Sequence, residues 1–348
     1  MPSILPRLAI IGCGAIFEKW HLRALRKLSW RPEILVDQNE ERLERLRQES
    51  KARAVATDYR KVIGEADAAI VAVPHGLHAE ICIPLIENGL DLLIEKPLAL
   101  SSADCERISD AARSNNRIVA VGHMRRFLSG HRWLKSLLDN NGLGDIQSAD
   151  FREGGPFSWP VASPAIWSRE HYGGGVLFDT GAHTLDLLLW WLGDVTIQSY
   201  RDDNFGGVEA DCVGELKLVG GGVAKFELSR TRKLRGTAVI VGSKGQIEID
   251  LVTGSIIANP PELMNHDHVG MSGRNLPTEG FLTMYVNQLA NFRDSIIQRD
   301  APLCSALDAT GVVSLLERCY DKHEPIDLPW VTASSIRTND QTKVANES

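Results

Sequence analysis

Long apolar runs are absent from this 348-residue chain, and none approaches the ~20 residues that a membrane-spanning helix requires. A membrane partner is therefore not expected. Basic charge is also in short supply, with 38 Lys and Arg against 45 Asp and Glu and a net charge of −7. A nucleic-acid surface needs a basic face, so nucleic acid is not an expected partner either. The six cysteines (Cys13, Cys82, Cys105, Cys212, Cys304 and Cys319) include no C-x-x-C pair. Scattered in this way they read as reduced core residues, not as a disulfide frame. Met1–Arg7 has no signal-peptide layout and runs directly into a strand, which predicts a cytoplasmic location. No internal repeat is visible. What remains is ordinary globular composition with 43% hydrophobic and 24% charged residues, in a chain long enough for two domains.

The first half alternates strands with helices. Leu8-Ala9-Ile10-Ile11 is an apolar run that ends in Gly12-Cys13-Gly14-Ala15-Ile16-Phe17 and leads into a helical pattern. Strand, glycine turn and helix are the context of a dinucleotide fingerprint. Gly12 permits the tight turn. Gly14 lets the backbone approach a pyrophosphate, with Ala15 and Ile16 opening the helix whose N-terminus faces it. The third small residue is missing, since Phe17 stands there, and looser helix–strand packing is expected at that point. The strand Glu33–Val36 ends at Asp37, 23 residues after Gly14 and close to the ~20 expected of an acid that binds the adenosine ribose. A carboxylate there accepts from the ribose hydroxyls and repels a 2′-phosphate, so NAD is favoured over NADP. The competing reading makes Asp37 the cap of the next helix. Ala68–Val73 is apolar on both faces, as a central parallel strand should be, and ends in Pro74-His75-Gly76-Leu77-His78. The strand Asp91–Ile94 ends in Glu95-Lys96-Pro97. Ligands of open α/β sheets bind beyond the carboxyl ends of the strands, so Lys96 is placed for chemistry, although a strand-end lysine can also simply meet solvent. A helix from Ser101 and a strand Ile118–Gly122 complete a doubly wound sheet.

The second half changes character. His123–Phe127 opens a helix expected to run to about Leu138. A loop over Arg152–Gly175 holds Trp159, Trp167, Arg169, His171 and Tyr172, and tryptophan faces stack well on sugar rings, unless both are core. Arg125, Arg126, Arg152 and Arg169 hint at an anionic group on the ligand. In Gly173–Asp186, Asp179 and His183 stand four apart, a spacing that puts both on one helix face. A carboxylate beside an imidazole fixes its tautomer and raises its basicity, which suits a general acid–base. Helix capping by Asp179 over a buried His183 is the bland alternative, and Asp186 offers a second partner. Thr196–Asp250 reads as hairpins around Gly220–Gly222 and Gly242–Gly245, an antiparallel sheet. His266-Asp267-His268 supplies too few ligands for a metal site, and no metal is expected. Helices over Phe281–Gln298 and Ser305–Tyr320 close the fold.

Taken in order, these stretches resemble the glucose–fructose oxidoreductase and inositol dehydrogenase (Gfo/Idh/MocA) family. The likeness rests on Gly12 and Gly14, Pro74–His78, Glu95-Lys96-Pro97, Arg126-Phe127, Gly173–Gly175 with Asp179 and His183, and Asp308-Ala309, and covers roughly residues 7–330. It implies an N-terminal Rossmann domain with a doubly wound parallel sheet (1–122) and a substrate-binding and oligomerisation domain built on an open, mainly antiparallel sheet (123–280). Closing helices (281–330) return in part to the first domain, and a polar tail follows (331–348). A cis Lys96–Pro97 bond and a homodimer or homotetramer assembled through the open sheet are further implications. So is a dinucleotide site that adds Pro74, His75, His78, Glu95 and Lys96 to the glycine turn, with His75 replacing a usual asparagine. The implied reaction is NAD-dependent hydride transfer at a secondary alcohol or ketone of a sugar, cyclitol or sugar derivative. In it His183 takes the hydroxyl proton, Asp179 orients His183, and Lys96 hydrogen-bonds the same oxygen; Lys96 as the base is the open alternative. Two other readings stand beside it: a glycoside-cleaving enzyme that oxidises transiently and recycles NAD, and a sugar-sensing regulator without turnover.

Overall fold

The computed structural model describes residues 5–158, 169–204, 207–268 and 270–326; the tail expected over 331–348 lies outside them. Six strands form a parallel sheet: β1 (Leu8–Ile11), β2 (Pro32–Val36), β3 (Ala54–Ala56), β4 (Ala68–Val71), β5 (Asp91–Ile94) and β6 (Val119–Val121). Their spatial order is β3-β2-β1-β4-β5-β6. Every residue of β1, β4 and β5 is buried, as strands covered by helices on both faces must be. The covering helices are α1 (Leu22–Lys27), α2 (Glu40–Ser50), α3 (His78–Glu87) and α4 (Ser102–Ser114). Asn39, not Asp37, caps α2, its side chain accepting the Arg42 N–H. Because all six strands are parallel, their carboxyl ends share one edge, and the order reverses between β1 and β4. That switch point is where an open α/β sheet forms its ligand crevice.

The larger second sheet holds β7 (Ile146–Gly154), β8 (Val195–Asp202), β9 (Asp211–Leu218), β10 (Val223–Ser229), β11 (Thr237–Gly242), β12 (Gly245–Asp250) and β13 (Ile256–Asn259). The order is β13-β12-β11-β7-β10-β9-β8, with the short strand His323–Pro325 beyond β8. Pairing is antiparallel except for β7 with β10 and β8 with His323–Pro325. Both glycine hairpins form where their turns predicted them. Inward residues such as Phe151, Leu216, Phe226 and Ile240 bury against helices. These helices are α5 (Ser129–Asp139), α7 (Ala182–Leu192) and α9 (Ala306–Asp321), whereas the short α6 (Arg169–Tyr172) lies at the end of β4 and α8 (Phe281–Gln298) buries its apolar face against the first sheet. α8 packs on α1, with Tyr285 stacked on Trp20 at 5.8 Å. α9, opened by a Ser305–Asp308 capping box, touches both α4 and α7, so it spans the two sheets. The opposite face of the second sheet carries alternating charges, including Asp150, Arg152, Arg201, Glu215, Lys225 and Glu227, around a cavity of about 210 Å³. All six cysteines are buried and unpaired.

The helix expected from His123 is broken. A 3₁₀ turn covers Met124–Phe127, Leu128 is extended (φ −74°, ψ 136°), and α5 starts afterwards, with the Ser129 N–H donating to Glu279. The break aims two consecutive arginines inward, at different carboxylates.

Candidate active site

The glycine turn forms as its residues dictate. Gly12 has φ +89°, and a Cβ there would lie 2.3 Å from the Ala72 carbonyl oxygen, whereas a Cβ on Gly14 would meet nothing within 4 Å. Gly14 thus leaves backbone open to an approaching group. Asp37 at the end of β2 closes the loop from the side. Its carboxylate accepts the Cys13 N–H (2.8 Å) and the Asn39 N–H (2.9 Å) and pairs with Arg42 at 3.2 Å. Phe17 is fully buried and opens a π turn, Phe17–His21, so the helix starts wide where a small residue is missing. This loop fits the pyrophosphate and ribose of a dinucleotide at the switch point.

The end of β5 faces the second half of the chain. The Lys96–Pro97 bond is cis. Lys96 Nζ donates to Asp179 Oδ1 (2.9 Å) and to the Asp179 backbone oxygen (3.2 Å). Arg230, which follows β10, donates to the other oxygen, Asp179 Oδ2, at 2.8 Å. Partial desolvation in the crevice would raise the Asp179 carboxyl, but Lys96 and Arg230 outweigh it and hold the group below the ordinary carboxylate range. Asp179 sits in a second π turn, Leu177–Gly181, and α7 continues from it with His183. The expected Asp179–His183 pair is not made. Both carboxylate oxygens face cations from other elements, and charge-assisted bonds outcompete a neutral imidazole. His183 is 9% exposed, and its Nδ1 has no hydrogen-bond partner among the described residues. Burial, then Lys96, Arg125 and His123, hold it well below its usual value, so it is neutral. Asp186, the other partner considered for it, is taken by Arg126 (2.7 Å).

The remaining sequence-based candidates divide sharply. Arg125 is brought near His183 and makes a bidentate pair with Glu153 (2.6 and 2.7 Å), which also accepts from Thr184. Arg126 was expected to bind substrate. It is instead buried on Asp186 and the Leu303 carbonyl, because an inward arginine needs its own acceptors. Arg152 falls on the outer face of the second sheet, paired with Asp150 and Glu227, since strand alternation turns it away from Glu153. Arg169 lies over the Tyr320 ring at 4.5 Å. Tyr172 meets His75 at 5.3 Å, and the end of β4 and the α6 loop come together there. Burial, then His78 and Lys96, lower His75 to about 3. His78 is fully buried, its ring nitrogens each 3.0 Å from a carbonyl oxygen (Leu98 and Val73), so it braces the loop below the crevice. Glu95 turns inward to His21 Nε2 at 2.7 Å. Trp159, Trp167 and the side chain of His171 lie outside the described residues.

Three residues had no local sequence signal. Arg230 and Glu153 are defined only by their partners. Glu209 is a buried carboxylate that accepts from the Gly175 and Leu177 N–H groups and from the Tyr320 hydroxyl, and so fixes the glycine run leading to Asp179. Burial raises it. Among the described residues, His123, Asp186 and Cys304 offer ligand atoms within 4.8 Å of one another, but the Arg126 guanidinium already occupies the carboxylate a cation would need. His266, in the other histidine cluster, meets Ser136 at 3.1 Å.

Comparison with known proteins agrees with this geometry. Residues 6–123 match the model described as "Oxidoreductase family, NAD-binding Rossmann fold", and residues 131–248 match the "GFO/IDH/MocA C-terminal domain". A candidate UDP-kanosamine synthase oxidoreductase subunit of Amycolatopsis mediterranei is 36% identical over 74% of this chain and 78% of its own. Inositol 2-dehydrogenase of Gluconacetobacter diazotrophicus is 38% identical over 40% of this chain and 43% of its own. The chain spans about half the length of the first curated relatives it matches. Among solved structures, levoglucosan dehydrogenase in complex with NADH and levoglucosan superposes with a TM-score of 0.79 at 18% identity, covering 91% of this chain and 96% of that one. A glycine turn at the switch point, a lysine anchored at the end of β5 and an open second sheet, matched by both family models, make this chain a member of the Gfo/Idh/MocA family of NAD-binding oxidoreductases.

Proposed function

We propose that the protein oxidises a secondary alcohol of a sugar, cyclitol or sugar derivative, or reduces the matching ketone. The observation that carries this reading is Lys96, a cation anchored on Asp179 beside the neutral His183 at the mouth of the switch-point crevice. The names of the related proteins, which point to inositol, a nucleotide sugar and levoglucosan, support the substrate class. NAD, when bound, supplies the hydride acceptor. Gly12–Ile16 would hold its pyrophosphate and Asp37 its ribose, with Pro74 and His75 along the crevice. His183 has a free lone pair for the hydroxyl proton. Lys96 donates to the same oxygen and stabilises negative charge that develops on it, typically the largest contribution to such a step. Asp179 orients Lys96 instead of His183. Arg125 and Tyr172 would line the substrate side.

By this reading residues 1–122 carry the cofactor and 123–280 the substrate. The charged outer face of the second sheet would join copies of the chain, its alternating signs being self-complementary in an isologous dimer. Six buried thiols suit a reducing, cytoplasmic setting. The test is absorbance at 340 nm with NAD and a panel of sugars, polyols and cyclitols. NADH formed on one substrate class is the expected result. Tight NAD binding with no NADH from any member would overturn the reading, and aglycone release or its absence would then separate a glycoside-cleaving enzyme from a sensor.

A further inference from the structure

Asp179 and His183 are spaced to meet, yet the carboxylate faces elsewhere. The two cations that hold it come from different sheets, Lys96 from the end of β5 and Arg230 from the end of β10. Arg230 is firmly placed. Its backbone N–H donates to the Ala210 carbonyl (2.8 Å), Phe157 packs on the guanidinium at 4.8 Å, and its side chain is 9% exposed. The groups that act on His183 are Lys96 from the first sheet and His123 and Arg125 from the turn before α5, while Asp179 and Asp186 flank it in sequence, four residues before and three after. Asp186 is committed to Arg126, and Arg125 to Glu153. Of the two carboxylates at helical spacing from His183, Asp179 is the one held by cations from two other elements.

We infer that Arg230 is a positioning residue for the reaction: by holding Oδ2 of Asp179 it turns that carboxylate onto Lys96 and withholds it from His183. Lys96 gains a fixed anchor, and His183 keeps a lone pair free of any proton. Without the guanidinium, Oδ2 is released to accept from the imidazole four residues on, which raises the proton affinity of His183 and draws the carboxylate off Lys96. The catalytic consequence rests on the oxidoreductase reading above. The rearrangement itself does not.

The experiment uses the full chain with R230Q and R230K. Histidine ring signals of ¹⁵N-labelled protein are followed through a pH titration, His183 being assigned by its loss in H183Q. R230Q is expected to raise the His183 midpoint by about one pH unit or more, a tenfold change in proton affinity, and R230K to stay near the parent. In turnover, R230Q should lower kcat/KM by about tenfold or more and move its acid limb upward, with NAD affinity unchanged. Identical His183 titration in parent and R230Q overturns the inference, as does R230K behaving like R230Q. Failure of the oxidoreductase reading looks different: the parent protein makes no NADH, while the titration still decides what Arg230 does.

Discussion

Replacing Lys96 by Met keeps the length of the side chain and removes its charge. The ammonium has three donors. Two of them go to Asp179, at 2.9 and 3.2 Å, which leaves one for a substrate oxygen. Losing one donor to a developing oxyanion costs about 3 kcal/mol, or roughly 10²-fold in kcat. The cost to folding is smaller. The Asp179 side chain is 47% exposed and keeps Arg230, so water screens the lost pair and limits it to about 1 kcal/mol. The two magnitudes are far enough apart to separate. Steady-state kinetics of K96M should show kcat reduced by about 10² or more, while thermal unfolding shifts by only a few degrees and NADH fluorescence titration gives an unchanged affinity. A variant that unfolds like the parent and retains most of its kcat would refute the role given to Lys96.

Asp37→Ala removes the carboxylate beside the glycine turn and releases Arg42, so the ratio of kcat/KM for NAD to that for NADP should fall by about tenfold or more; an unchanged ratio in parallel assays would refute the assignment. Glu209→Ala leaves the Gly175 and Leu177 N–H groups and the Tyr320 hydroxyl without their acceptor, and urea unfolding should show a loss of at least about 2 kcal/mol. Burial lowers His123 and His131 from 6.5 to about 4. Between those values the unfolded chain binds more protons than the folded one, so stability is full above pH 6.5 and is lost as pH falls toward 4. Each group contributes roughly 3 kcal/mol at most. Urea midpoints that stay level from pH 7 to about 4.5 would contradict this.

Much of the architecture was legible because burial on both faces writes itself as unbroken apolar runs. β1, β4, β5 and β6 read directly, as did both glycine hairpins and the closing helices. β3 did not, since three residues carry no period, and β7 did not, because its inward positions include a small alanine and its end runs into a loop of polar and glycine residues. The site was half legible for a related reason. Residues placed by their own element, such as Gly12, Asp37, Lys96 and His183, could be put forward as candidates from spacing. Residues defined by a partner far along the chain could not. Arg126, Arg152, Arg230 and Glu153 are all charged residues near strand or turn ends, and only the assembled sheets decide which of them meets a carboxylate across the crevice and which faces outward. The Asp179–His183 spacing predicted a pair, but it said nothing of the two cations that claim the carboxylate.

The π turns at Phe17–His21 and Leu177–Gly181 each open a helix at the site. Such a turn accommodates one residue more than a regular one, and every residue of a helix advances it by about 100°. Deleting a single residue between Asp179 and His183, either Thr180 or Gly181, would let the helix close into regular α geometry at little cost. It would also rotate everything before the deletion by about 100° relative to His183. Asp179 would then leave the arc shared by Lys96 and Arg230 although every functional side chain was still encoded. A one-residue gap at this place in a related chain therefore marks a re-phased site, even where the lysine, aspartate and histidine are all retained.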